Sequence, residues 1–99
     1  MSMVQLVAAG APELPAGYFY RVRPSSMRLL KVELRQQGRF FSSLVEDTYI
    51  CPGEYPTAEE AVVAACRRVV GWWREKKADA EALEASRAWH GDHDPKGGK

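Results

Sequence analysis

Histidine is nearly absent from this chain of 99 residues: its two histidines, His90 and His93, both lie close to the C-terminus. Ser42 and Ser43 therefore have no general base nearby in the sequence, and the G-x-S-x-G pattern of many hydrolases is missing. Cys51 also has no histidine near it that could activate a thiolate. We therefore expect a non-enzymatic protein with no catalytic residues.

Cysteine is scarce as well, with Cys51 and Cys66 as its two occurrences. Structural zinc sites use four ligands, so two cysteines cannot complete one. The C-terminal segment HGDHD, residues 90–94, does hold metal-ligand residue types at close spacing. A chain terminus loses conformational entropy on binding and offers no supporting neighbours, so we expect adventitious nickel or zinc binding there. We predict neither a functional metal site nor a cofactor.

The chain also lacks an apolar run long enough to span a membrane, which takes about 20 residues. Its N-terminal stretch MVQLVAAGA, residues 3–11, imitates a signal peptide but has no positively charged start and is interrupted by Gln5. We therefore predict a cytoplasmic protein without a membrane partner, in which Cys51 and Cys66 stay reduced.

The two signs of charge are segregated along the chain although the net charge is only +1. Residues 18–45 hold six basic residues and one acidic residue, whereas residues 46–66 hold five acidic residues and no basic one. Such blocks can pair inside the fold or present a polarised surface. The sequence leaves both arrangements open.

Alternating apolar and polar residues predict three strands in the first half of the chain. They cover, in chain order, residues 18–24, 27–36 and 39–47. The clearest alternation sets Leu30, Val32 and Leu34 against charged neighbours, so these three should face the core. Gly38 can supply a positive φ in the turn of a hairpin. Residues 48–50 either extend the third strand past a bulge or form a short fourth strand.

One long helix is predicted after the strands. Thr57 is a suitable N-cap, and Glu60 three residues later completes a capping box. Apolar residues at helical spacing share one face: Ala58, Val62, Ala65, Val69 and Trp73. The sequence thus predicts an α+β domain over residues 18–77, with a three-stranded (or four-stranded) antiparallel sheet and one long C-terminal helix packed on one face.

The two ends of the chain are read separately from this domain. Residues 1–17 form a lead-in, with a short strand predicted at residues 3–7. Beyond Lys77 the apolar positions change phase and lie nearly opposite the first stripe, at Ala78, Ala82, Ala85 and Trp89. Residues 78–90 either extend the helix or fold back as a second short helix, and residues 91–99 are predicted to be disordered.

The second half of the helix carries more apolar surface than one sheet needs. Trp72 and Trp73 point 100° apart, and Val63 and Val70 form a shoulder beside the main stripe. Tryptophan is enriched at interface hot spots, which favours a protein partner or self-association. The residues predicted for this partner surface are Trp72, Trp73, Val70 and Trp89. The alternative is a larger core in which the N-terminal segment packs on the shoulder.

A second hypothesis concerns the sheet face that points away from the helix. Aromatic and basic residues on an open sheet can hold single-stranded nucleic acid. The residues predicted for this face are Phe19, Arg21, Arg23, Lys31 and Arg35. Glu33 belongs to the same patch, and a solvated antiparallel sheet has a similar composition without binding anything.

The stretch GEYPTAEEAVVAACRRVV, residues 53–70, resembles the helix entry of several small bacterial βββα proteins of unknown function. The resemblance covers residues 18–77. It implies a βββα fold, and it brings no shared activity and no catalytic residues. We therefore expect a small protein-interaction or regulatory module, with nucleic-acid binding as the alternative.

Overall fold

The computed structural model describes residues 2–89 and Gly91. The elements are α1 (Met3–Ala8), β1 (Tyr18–Pro24), β2 (Leu30–Gln37), β3 (Ser42–Ile50) and α2 (Ala58–Ser86), with 3-10 turns at Pro52–Glu54 and Arg87–Trp89. The segment 90–94, considered above for metal binding, and the predicted disordered tail 91–99 lie outside the described residues, apart from Gly91.

The three strands form one antiparallel sheet in the order β1-β2-β3, and α2 packs against β2 and β3. This confirms the predicted α+β class with a three-stranded sheet and one long C-terminal helix. The register shifts between Leu34 and Arg35, which leaves Val45 as the extra residue of a β-bulge. Residues 48–50 therefore extend the third strand past a bulge.

The connection between β2 and β3 is longer than the sequence indicated, because β3 begins at Ser42. The Gly38 N–H donates to the Phe41 carbonyl at 2.9 Å and closes the loop. Within the described residues positive φ falls on three other glycines, so the positive φ expected at Gly38 is wrong. Glycine is needed here for space, since a Cβ would collide with the Phe41 carbonyl oxygen.

Residues 3–8 form the short helix α1 instead of the predicted strand. The Ser2 hydroxyl accepts a hydrogen bond from the Gln5 N–H at 3.2 Å, and the Gln5 side-chain oxygen accepts one from the Ser2 N–H at 2.7 Å. This capping box satisfies backbone donors that a helix start leaves open. Leu6 then points into the core with 4% exposure.

The core lies between α2 and the sheet. Val32 and Leu34 are fully buried there, as predicted, with 0% exposure each. The Thr57 hydroxyl accepts from the Glu60 N–H at 3.1 Å, so Thr57 is the predicted N-cap. The reciprocal Glu60 side-chain bond of the predicted capping box is not formed. The helix buries seven side chains against the sheet and the N-terminal segment: Ala61, Val62, Val63, Ala65, Cys66, Val69 and Val70. Ala58, predicted on this face, is exposed.

The N-terminal segment covers the shoulder of α2, so the larger core considered above is the arrangement found. Leu6 and Ala11 belong to one core cluster, and Leu14 packs against a second cluster that includes Val70. The Tyr20 hydroxyl of β1 donates to a backbone carbonyl of this segment at 2.6 Å. These contacts make residues 2–17 part of the domain.

Helix α2 is longer than the sheet that it covers. It runs without a break for 29 residues, which is about 44 Å. The longest strand has 9 residues and spans about 30 Å. Every residue from Arg74 to Trp89 is exposed, and the molecule measures 63 × 34 × 26 Å. We call residues 72–86 the helical arm, with Trp72 and Trp73 at its base. None of the helices within residues 2–89 is long and apolar enough to cross a membrane.

Candidate functional site

The base of the helical arm is fixed to the sheet by Trp73. Its ring lies against Tyr18 of β1, with ring centroids 4.8 Å apart and planes tilted by 41°. The ammonium of Lys77 lies 5.6 Å from the centroid of the same Trp73 ring. Trp73 is half-buried at the edge of the core, so it positions the arm more than it offers a free surface.

The partner-surface residues predicted from sequence separate into three environments. Val70 is 1% exposed and belongs to the core, so its prediction as a surface residue is wrong: the N-terminal segment covers it. Trp73 is half-buried. Trp72 and Trp89 are the exposed pair, at 41% and 71%.

The arm carries a stripe that sequence reasoning missed. Trp72, Lys76, Asp79 and Leu83 follow one another at intervals of four, three and four residues, so all four lie within about 60° around the helix axis. Leu83 is 62% exposed. We call these four residues the arm stripe. Its spacing is visible in the sequence, but two of its members are charged, whereas the predicted alanine line is apolar throughout and lies elsewhere on the helix.

The arm stripe lies on the side of α2 that faces β3. Lys76 forms an ion pair with Glu46 of β3, whose side chain is 10% exposed. Two turns earlier the Arg68 guanidinium donates to the Thr48 hydroxyl at 3.2 Å. These contacts hold the start of the stripe at a fixed angle to the sheet, so the arm leaves the domain in a defined direction.

The predicted alanine line lies about 120° around the helix axis from the arm stripe. Ala78, Ala82 and Ala85 are exposed, and Trp89 follows in the 3-10 turn that ends the helix. Glu84 and Arg87 form an ion pair at 3.1 Å, with both side chains 70% exposed. Such an exposed pair contributes little to stability, so it does not explain why the helix persists to Ser86.

The five residues predicted for nucleic-acid binding do share the sheet face that points away from α2. The register pairs Phe19 with Arg35 and Arg23 with Lys31, which sets all five on one side of the sheet. The Arg21 guanidinium lies 5.7 Å from the Phe19 ring centroid. The geometry therefore collects the aromatic and basic groups as the alternation indicated.

Much of the positive charge on that sheet face is already paired. The Arg35 guanidinium donates to the Glu33 carboxylate at 3.0 Å, to the Ser42 hydroxyl at 2.9 Å and to the Ser42 carbonyl at 3.1 Å. Lys31 lies 3.5 Å from the Asp47 carboxylate. The basic and acidic blocks of the sequence thus meet in part within the fold, and Arg21 and Arg23 remain as the more available cations.

The two cysteines differ in their surroundings. Burial raises the pKa of the Cys66 thiol to about 12, which keeps it protonated and unreactive. Cys51 is half-buried and lines a cleft of about 650 Å³ between the β1–β2 turn and the 3-10 turn after β3. Among the described residues no group of three or more His, Cys, Asp or Glu side chains could hold a metal ion.

No family model, no curated protein and no solved structure matches this chain. The resemblance to βββα proteins therefore stays a prediction, and the chain is not assigned to a family.

Proposed function

We propose that the protein is a non-enzymatic interaction module that presents its helical arm to a protein partner. The observation that carries this proposal is that α2 extends beyond the sheet and that every residue from Arg74 to Trp89 is exposed. Helices in proteins owe most of their stability to packing of one face, and isolated helices shorter than about 12 to 15 residues are marginal in water. A projecting helix of this length is expected to pack on something else.

The side chains on the arm fit a protein surface. Trp72 is a large, partly exposed anchor at the base, and Leu83 is 62% exposed near the tip. Helices that dock on proteins do so through apolar anchors at helical spacing. Between these anchors the arm carries both signs of charge, which favours a partner with matched charges over a lipid surface or a nucleic acid.

We propose a cytoplasmic location for the protein. Cys51 and Cys66 are free cysteines and therefore form no disulfide with each other. Extracellular domains of this size are commonly reinforced by disulfides, whereas cytoplasmic ones are not.

Photo-crosslinking tests the proposal. A photoreactive phenylalanine analogue replaces Leu83 in the full chain, which is expressed in the cells that make it natively. The matched control carries the analogue at Met27, which is apolar, fully exposed and located in the β1–β2 turn far from the arm. We expect a discrete crosslinked protein from position 83 and none from position 27. Equal crosslinking at both positions, or none at Leu83, contradicts the proposal.

A second candidate function is nucleic-acid binding by the open sheet face. The register that gathers Phe19, Arg21 and Arg23 on one side favours it. Titration of labelled single- and double-stranded oligonucleotides, followed by anisotropy at low and moderate salt, tests it. Binding that fades with salt and with the Arg21→Ala/Arg23→Ala double variant supports this function, because phosphate contacts release counterions. If no oligonucleotide binds at low salt, nucleic-acid binding by this sheet face is wrong.

A further inference from the structure

The arm stripe has a pattern that matches itself when reversed. It reads tryptophan, lysine, aspartate and leucine along one side of the helix, with an apolar residue at each end and opposite charges in the middle. A second identical helix running the other way meets each apolar residue with an apolar residue and each charge with its opposite. We propose that the partner of the arm is a second copy of this chain, bound antiparallel across a two-fold axis; this inference rests on the proposed function.

The two-fold axis passes midway between Lys76 and Asp79. It sets Trp72 of one copy opposite Leu83 of the second copy, and Lys76 opposite Asp79 of the second copy. Each of these pairs occurs twice, as a two-fold interface requires. The arm stripe is about 16 Å long, so both apolar pairs and both ion pairs form along a single line of contact.

The neighbours of the stripe allow two helices to come close. Ala80 flanks it on one side, and Glu75 and Ala82 flank it on the other. The two alanines are compatible with an interaxial distance within the usual range of about 8 to 10 Å. Trp73, already fixed against Tyr18, then borders the contact on the side of Ala80.

The two charged residues of the arm stripe favour a second copy as the partner and an antiparallel direction for its helix. In a parallel pair, Lys76 would face Lys76 and Asp79 would face Asp79, and like charges directly opposed are destabilising. Lys76 also pairs with Glu46, but its side chain is 72% exposed and an ammonium has three donors. It can therefore keep Glu46 and donate to Asp79 of the second copy.

The size of the contact sets the strength expected. A stripe of about 16 Å buries less than the roughly 800 Å² per partner of a standard stable interface. The dimer is therefore expected to dissociate on dilution, and a weak two-fold contact suits a module that assembles according to its concentration.

Sedimentation equilibrium of the full chain over a wide concentration range tests this inference. We expect a shift towards twice the 11.1 kDa of one chain as concentration rises. Asp79→Lys sets two lysines opposite each other, and Lys76→Asp sets two aspartates opposite each other. Each should weaken dimerisation at least about tenfold. An equimolar mixture of the two variants should dimerise again, because every facing pair then has opposite charges.

The matched control is Glu81→Lys, which changes the net charge as Asp79→Lys does but lies on the opposite side of the arm. It should dimerise like the unchanged chain, and circular dichroism checks that each variant keeps its helix. A chain that stays monomeric at every concentration, or a dimer indifferent to both charge reversals, overturns the inference.

The failure of this inference is distinguishable from that of the proposed function. If position 83 crosslinks to a different protein while the chain sediments as a monomer, the second copy is wrong and the interaction module stands. If position 83 gives no crosslink at all, both are wrong. A crosslinked species of twice the chain mass supports both.

Discussion

Lys76 of the helical arm is ion-paired with Glu46 of β3, and the two side chains are unequally exposed, at 72% and 10%. The glutamate is therefore the partner that depends on the contact, because its carboxylate has little access to water. The pair joins the base of the arm to the strand beside it. Its loss should affect the stability of the domain as well as the direction of the arm.

Replacing Lys76 by methionine tests this relationship. Lys76→Met leaves the Glu46 carboxylate without its cation, and we expect the free energy of unfolding to fall by about 1 kcal/mol. The control is Lys77→Met, which removes an adjacent lysine from above the Trp73 ring and should cost no more than about 0.5 kcal/mol. Urea unfolding at low protein concentration measures both. Equal losses would contradict a specific role for the Glu46 contact.

Two glycine-to-alanine substitutions should act in opposite directions. Gly38→Ala places a Cβ against the Phe41 carbonyl oxygen, so the β2–β3 loop must shift and we expect a loss of about 1 to 3 kcal/mol. Gly71→Ala meets no atom within 4 Å on the exposed side of α2. It should stabilise the fold by about 0.5 to 1 kcal/mol through helix propensity. Thermal unfolding compares them, and a stabilising Gly38→Ala would show that the loop is not tightly closed.

Stability should decline at alkaline pH because of Cys66. Its thiol has a pKa of about 12 in the folded chain, against an ordinary value of 9.0. Between these values the unfolded chain releases the proton while the folded chain keeps it, so the free energy of unfolding falls as pH rises. Burial also raises the pKa of Tyr20, which acts in the same direction at higher pH.

Urea unfolding between about pH 8 and pH 11 measures this decline. Cys66→Ala should make the decline less steep, whatever it does to stability at neutral pH. Val69→Ala is the control, because it also truncates a fully buried side chain of α2 but removes no titratable group, and it should leave the slope unchanged. An identical slope for the unchanged chain and Cys66→Ala would mean that the buried thiol does not govern this pH dependence.

The domain should not need the arm in order to fold. A chain ending after Lys77 keeps Trp73 on Tyr18 and the Lys76 contact, and the described residues that it removes are all exposed. We expect its free energy of unfolding at low concentration to change by less than about 0.5 kcal/mol. Its tendency to dimerise should disappear, since Asp79 and Leu83 are gone. A truncated chain that fails to fold would place the arm within the cooperative unit.

The exposure of the arm could not be derived from its composition. After Lys77 the apolar positions move to another side of the helix, and both a bent and a straight helix were compatible with that change. A helix with a second apolar line can bend and bury it or continue straight and leave it in water. The outcome depends on where the strands end, and β3 begins at Ser42, three residues later than its sequence pattern suggested. The arm stripe could have been found from its four, three and four spacing, but its two charged members concealed it.

The sequence by itself determined the features that depend on neighbours in the chain. Val32 and Leu34 face the helix because side chains alternate along a strand. Thr57 caps α2 because its hydroxyl accepts from a backbone N–H at the helix start. Only the tertiary structure decided that the N-terminal segment covers Val70 and that the Arg35 guanidinium donates hydrogen bonds to Glu33 and Ser42. Both outcomes depend on which segments distant in the sequence come into contact, because burial and hydrogen-bond pairing arise only from those contacts.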